Sequence, residues 1–417
     1  MPKGENVEQD GLFATSNVTV SADAGAGLSQ QGAGPLPRVT GTKALGAATA
    51  KLHASATVRG AGIAVAVCVS FSITAAGGAT IASTPPARLK VPAAGSAVAR
   101  ATIENLSVST WSPQSPNLYT VHVGVYKEGS GEGGCEDVAA AEPIDWLSTT
   151  HGFRTLRYDA NGGFFLNSEH FKVRGFCDHN DFGVVGMAVP ERVALFRAQM
   201  LRAVGGNGRR MSHNPPDVAT LAIYDRLGVV VMDENRLFAN STKYVDNMGD
   251  LVRRDRNHPS VVIWSFCNEA GCERGHEAGG PRFADVTARL DGSRPTLANM
   301  FTFGDLLSRT VDVQGFSHQS REKLDACHVA LPDKPIFMSE CCSCNTERDE
   351  DVGCETTHDD PKSIGCRQTS FNARCAQVNM LGYYRSVSAE IGSVSKRVHL
   401  QPYLRGSHCL CAVIQTP

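Results

Sequence analysis

The segment Val261-Val262-Ile263-Trp264-Ser265-Phe266-Cys267-Asn268-Glu269 most constrains what this chain can become. It follows a charged helix end, Arg253 to Arg256, and a tight Asn257-His258-Pro259 turn. It reads as a buried apolar strand that delivers an Asn-Glu pair at its C-terminal end. In a (β/α)₈ barrel the C-terminal strand ends face the active site. A carboxylate placed there is a candidate catalytic acid rather than a solvated surface charge.

From about Phe153 onward, strand and helix patterns alternate, which predicts a parallel α/β architecture. The strands read as Phe171 to Gly175, Gly208 to Met211, Val229 to Asp233, Val261 to Phe266, Pro295 to Ala298, Val311 to Phe316 and Ile336 to Ser339. The first helix starts at Pro190-Glu191, with Pro pre-set for a first turn, and stops at Gly205-Gly206. The second runs from about Pro216 to Leu227, with Gly228 as its left-handed cap. A third ends near Arg256, and Phe283 to Leu290 reads as another. Residues 153–417 suffice for a (β/α)₈ TIM barrel, but residues 375–417 form an atypical tail that does not read as strand-helix closure. The barrel is therefore expected to be incomplete at strand eight.

Residues 46–152 read as short strands separated by turns, an immunoglobulin-like β-sandwich. The uncharged run Gly60 to Ala87 is long enough to suggest a membrane span. However, Ile63, Val65, Val67, Val69, Phe71 and Ile73 alternate with small or polar residues, the period of a half-buried strand. Ala99 to Val108 and Tyr119 to Tyr126 follow, with turn signals at Trp111-Ser112-Pro113 and Pro116-Asn117. Residues 1–45 are Gly/Ala/Ser-rich and are expected to be disordered, forming no core.

With 40 basic and 42 acidic residues, the chain offers no footprint for nucleic acid or an anionic membrane. The start of the sequence shows no apolar leader segment, which favours a cytoplasmic location. The sequons at Asn17, Asn105 and Asn240 then carry little weight. Fourteen cysteines are many, and Cys341, Cys342, Cys344, Cys354, Cys366 and Cys375 cluster after Glu340. They read first as free or incidental thiols, then as disulfides, then as a metal module.

Further motifs accompany the Asn-Glu strand. They are Gly152-Phe153-Arg154 with Phe165-Leu166-Asn167, Arg174-Gly175-Phe176-Cys177-Asp178-His179-Asn180-Asp181, and Arg210-Met211-Ser212-His213-Asn214-Pro215-Pro216. Asp225-Arg226-Leu227-Gly228 with Val231 to Arg236, and Lys334-Pro335-Ile336-Phe337-Met338-Ser339-Glu340, complete the set. In this order, over residues 152–374, they resemble glycoside hydrolase family 2: β-galactosidases, β-glucuronidases and β-mannosidases. The family's N-terminal jelly roll is expected to be missing from this chain.

The resemblance implies a retaining exo-β-glycosidase, with β-galactosidase as the leading specificity and a carbohydrate as the partner. Glu269 would be the acid/base and Glu340 the nucleophile. Asn268 would meet the hydroxyl beside the anomeric centre. Arg210 would hold the nucleophile carboxylate ionised. His213 and His179 would line the sugar pocket. Many members place a Tyr where Gly315-Phe316-Ser317-His318 stands, so His318 would substitute for its hydrogen bond to the nucleophile. Some β-galactosidases bind magnesium after strand three; Asn235 to Asn240 lacks the necessary Glu and His, so no metal or cofactor is expected. Asp233 and Glu234 read equally as an ion pair with Arg236 or as substrate contacts, and Trp264 reads as core. A rival reading is an inactive carbohydrate-binding remnant or a truncated gene product. Self-association into a homo-oligomer stays open.

Overall fold

In the computed structural model, residues 6–20, 48–129, 134–138, 141–183, 185–203, 205–273, 276–340 and 409–411 are described. The chain divides into two units. Among the described residues, one draws on 6–20, 48–155 and 253–259; the other draws on 156–252, 260–340 and 409–411.

The first unit is all β. Its strands are β1 (Asn6–Thr19), β2 (Ala48–Arg59), β3 (Val65–Ala75), β4 (Thr80–Ser83), β5 (Ala87–Val91), β6 (Ser96–Val108), β7 (Tyr119–Lys127) and β8 (Asp145–His151). They form two antiparallel sheets, β1-β2-β6 and β4-β3-β7-β8, with β5 beside β3. Alternation determines which face is buried. In β3 the buried Val67, Val69, Phe71 and Ile73 meet Leu52, Ala54, Ala56 and Val58 of β2 in one core. Each Val, Leu, Ile or Phe among them contributes about 1.5–3 kcal/mol relative to exposure, and each Ala less. A disulfide joins Cys68 to Cys135.

Two expectations need correction here. Residues 1–45 were expected to form no core, yet Asn6–Thr19 is a strand paired with β2 along most of its length. Its Leu12 and Ala14 are buried at 2% and 4% exposure, and Asn257 of the same unit donates to Leu12 O (2.7 Å). Small residues suffice because β2 is itself Ala-rich, so the sheet packs with little volume per strand. Within the expected span of the sandwich, and ahead of the Ile63 to Ile73 pattern expected to come first, Ala48–Arg59 is a further strand. There Ala hides the alternation that Val and Leu would have displayed.

The second unit begins with a small sheet, β9 (Leu156–Asp159), β10 (Gly163–Leu166) and β11 (Glu169–His170). Seven parallel strands follow: β12 (Arg174–Asp178), β13 (Gly208–Met211), β14 (Val230–Glu234), β15 (Val261–Asn268), β16 (Thr296–Met300), β17 (Val313–Ser317) and β18 (Ile336–Glu340). The helices between them are α1 (Glu191–Ala203), α2 (Val218–Leu227), α3 (Thr242–Asp255), α4 (Gly280–Leu290), α5 (Leu306–Thr310) and α6 (Arg321–Ala330). The result is a nearly closed parallel barrel of seven strands, consistent with an incomplete TIM barrel.

An eighth strand, β19 (Cys409–Cys411), pairs with β12 but runs antiparallel to it. No strand pattern in the tail announces it. The cysteine cluster and most of the 375–417 tail lie outside the described residues. Among the described residues, no helix is long and apolar enough to cross a membrane.

Local chemistry sets the helix ends. The Asp217 side chain caps α2 by accepting from Ala219 N–H at 2.8 Å, and Gly228 ends it with φ 67° and ψ 58°. That left-handed conformation favours Gly. Between helices and sheet lies a core that includes Leu201, Tyr224, Trp264, Phe266 and Phe283. Trp264 is fully buried and its indole N–H donates to Asp291 (2.9 Å), as expected of a core residue. Gly175 is obligatory on close-approach grounds: a Cβ there would collide with the Gly208 carbonyl of β13.

Candidate active site

The parallel register aligns the C-terminal strand ends. Glu234 of β14 pairs with Ser265 of β15, Asn268 with Asn299 of β16, and Ser317 of β17 with Glu340 of β18. Polar side chains from six strands therefore converge in one layer.

Arg210 of β13 organises that layer. Its guanidinium is fully buried. Nε and Nη2 donate to the two oxygens of Glu234 (2.9 and 3.0 Å), and Nη1 donates to Glu340 Oε2 (2.8 Å). Nη2 also donates to Asn268 Oδ1. Burial opposes its charge, but Glu234, Cys177 and Glu340 outweigh that and raise its pKa. Glu234 is equally buried. It also accepts from Ser265 Oγ (2.9 Å) and Asn299 Nδ2 (2.6 Å), and its Oε1 lies 2.8 Å from His213 Nδ1. Of the two readings left open for Glu234, the ion pair with Arg236 is not formed: Arg236 is exposed, and Arg210 takes the carboxylate. Cys177 of β12 lies 3.6 Å from Arg210 Nη1, and burial pushes its thiol up to about 12.

Glu269 follows Asn268 and opens a short 3-10 turn, Glu269–Gly271. A disulfide between Cys267 and Cys272 brackets that turn. Glu340 is 5% exposed, whereas a quarter of the Glu269 side chain is exposed. His318 Nε2 stands between them, 3.3 Å from Glu269 Oε1 and 3.2 Å from Glu340 Oε1. The facing carboxylate and imidazole atoms all lie within 4.8 Å of one another. That closeness is also within reach of a divalent ion. His179 packs edge-on against His213, with centroids 5.3 Å apart.

All seven residues singled out from the sequence, Glu269, Glu340, Asn268, Arg210, His213, His179 and His318, thus lie in one constellation. Ser265, Asn299 and Cys177 were not singled out, and for Glu234 neither of the two readings named Arg210 as its partner. Their strand-end positions were the available signal.

Residues 160–244 and 239–342 match the description "Glycosyl hydrolases family 2, TIM barrel domain", and residues 38–137 match "Glycosyl hydrolases family 2". The chain belongs to glycoside hydrolase family 2. It is 36% identical over 171 residues to the beta-galactosidase BoGH2A of Bacteroides ovatus, covering 38% of this chain and 19% of that protein. It is 31% identical over 227 residues to a putative beta-glucuronidase of Formosa agariphila, covering 51% and 20% respectively. The chain thus spans about a fifth of the length of these two relatives.

Among solved structures, a family 2 member from Bacteroides cellulosilyticus superposes with a TM-score of 0.67 at 24% identity, covering 81% of this chain and 43% of that one. A Bacteroides uniformis beta-glucuronidase superposes at 0.63 with 20% identity, covering 81% and 41%. These two likenesses concern the fold alone.

Proposed function

We propose that this chain carries the catalytic centre of a retaining exo-β-glycosidase acting on terminal β-D-galactosyl residues. The spacing of Glu269 and Glu340, with facing oxygens within 4.8 Å, carries this reading. Retaining enzymes hold their carboxyl groups about 5–5.5 Å apart, whereas inverting enzymes leave room for a water between them.

In the mechanism, Glu269 protonates the leaving oxygen while Glu340 attacks the anomeric carbon. Glu269 then takes a proton from the water that releases the sugar. Arg210 keeps Glu340 ionised, because protonating Glu340 would forfeit a buried charge-assisted hydrogen bond. Asn268 is oriented by Arg210 toward the sugar hydroxyl next to the reacting carbon. His213, fixed by Glu234, and His179 line the pocket. The galactoside preference rests on the similarity to the Bacteroides ovatus beta-galactosidase. A glucuronide preference is the second reading, favoured by the beta-glucuronidase names of other relatives.

The test is hydrolysis of 4-nitrophenyl β-D-galactoside, glucuronide and mannoside by the parent chain and its Glu340→Ala variant. A 2-fluoro glycoside should leave its sugar on the peptide containing Glu340. Turnover with the label on another residue would sink the assignment. No turnover of any substrate by the folded parent would favour the inactive-remnant reading.

A further inference from the structure

His318 follows β17 directly and holds φ 53°, a left-handed conformation that a side-chain-bearing residue adopts only when its surroundings enforce it. Its own N–H donates to the Glu340 carbonyl at 2.8 Å, which fixes the backbone. The ring then projects Nε2 between the two carboxylates, 3.3 Å from Glu269 and 3.2 Å from Glu340. Its Nδ1 is buried without a hydrogen-bond partner among the described residues.

A tyrosine hydroxyl in this place would carry one proton and no charge. An imidazole can carry a second proton and become a cation. An unprotonated Nε2 would turn its lone pair toward two carboxylate oxygens, and both contacts would repel. A proton on Nε2 removes that repulsion already in the neutral ring, and a second proton, on Nδ1, makes the ring a cation attracted to both.

Glu269 approaches from the end of β15 and Glu340 from β18. Arg210 of β13 reaches the other Glu340 oxygen and is otherwise engaged by Glu234 of β14. Cys177 of β12 is a neutral thiol.

We propose that His318 stores the catalytic proton: its Nε2–H bridges Glu269 and Glu340 and supplies the proton that Glu269 delivers to the leaving group. This rests on the glycosidase reading above and deepens it. As the Nε2–H bond breaks, an O–H bond forms on Glu269. That proton passes to the glycosidic oxygen as its bond to the anomeric carbon breaks and Glu340 bonds to that carbon. In the second half, water attacks the anomeric carbon and the Glu340 bond breaks. The water proton returns through Glu269 to Nε2. One proton is lent and recovered, and no further reactant is needed. His318 thus acts through Glu269 as a positioning and proton-holding residue. Burial opposes its charge, but the bonds to Glu269 and Glu340 prevail and raise its pKa to about 9.

The test is ¹⁵N NMR titration of the histidines in the full chain, with His318→Gln assigning the signal. The expected midpoint lies near pH 9 and falls by a unit or more in both Glu269→Gln and Glu340→Gln. A midpoint near the ordinary histidine value, or one unmoved in both variants, would overturn the proposal. None of this requires turnover, so an inactive parent with a midpoint near 9 would leave the bridge standing and sink the glycosidase reading. In an active parent, the alkaline limb of kcat/KM should move by a unit or more in His318→Gln. A lowered rate with an unmoved limb would mean a merely structural role and would also overturn it.

Discussion

Arg210 lies between two buried carboxylates, so its removal costs more than the bonds it makes. Arg210→Met would strand Glu234 as an uncompensated charge among Ser265, Asn299 and His213. A loss of about 3–5 kcal/mol in barrel stability is expected. The double variant Arg210→Met/Glu234→Gln should recover part of it, because no unpaired buried charge remains. Urea unfolding of the two variants checks this; equal losses would contradict it.

His318 carries a second expectation at the same scale. Its folded pKa is raised, so its contribution is complete below the unfolded value and disappears as pH rises through about 9. The parent should therefore lose on the order of 3 kcal/mol more than His318→Gln between pH 6.5 and 9. Melts of the two chains across that interval provide the comparison. Among single residues, Glu269 was legible because it follows an apolar barrel strand, whereas Glu340 and Arg210 were singled out through the family resemblance. For Glu234, sequence proximity suggested Arg236 as one of two open readings, whereas the parallel register brings Arg210 across from the neighbouring strand.

At the level of elements, punctuation is what made the sequence readable. Pro190 before α1, Asp217 and Gly228 around α2, and the apolar run of β15 all lie where their conformational preferences require. Asp217→Ala should cost about 1 kcal/mol by removing the cap on Ala219 N–H. Gly228→Ala should cost a similar amount, because a Cβ disfavours φ 67°. Denaturant midpoints that fall with unchanged slopes would bear both out. Strand limits moved by up to three residues at β12, read as Phe171 to Gly175 and found at Arg174–Asp178. Phe171, Val173 and Phe176 lie on both sides of Arg174-Gly175, so the apolar pattern does not reveal where parallel pairing begins. β1 and β2 were missed for a different reason. Their Ala, Ser and Thr residues pack a sheet adequately, but they carry too little hydrophobic contrast to display a period of two.

For the molecule as a whole, the division into a β-sandwich followed by a parallel barrel was legible, because the two patterns differ in period. The Cys68–Cys135 bond was not, since spacing alone cannot choose partners among fourteen cysteines. In the chain-entropy account, a bond across a separation of 67 residues contributes about 4 kcal/mol. Reduction, or the Cys68→Ser change, should lower the melting of the sandwich unit, as calorimetry would record. The polar layer around Arg210 also bears on which sugars the pocket tolerates. The two cations, Arg210 and protonated His318, are outnumbered by the carboxylates of Glu234, Glu269 and Glu340. An anionic sugar would enter against that excess, whereas a neutral one would not. Raising ionic strength should therefore lower the KM of a glucuronide by screening the repulsion while leaving that of a galactoside nearly unchanged.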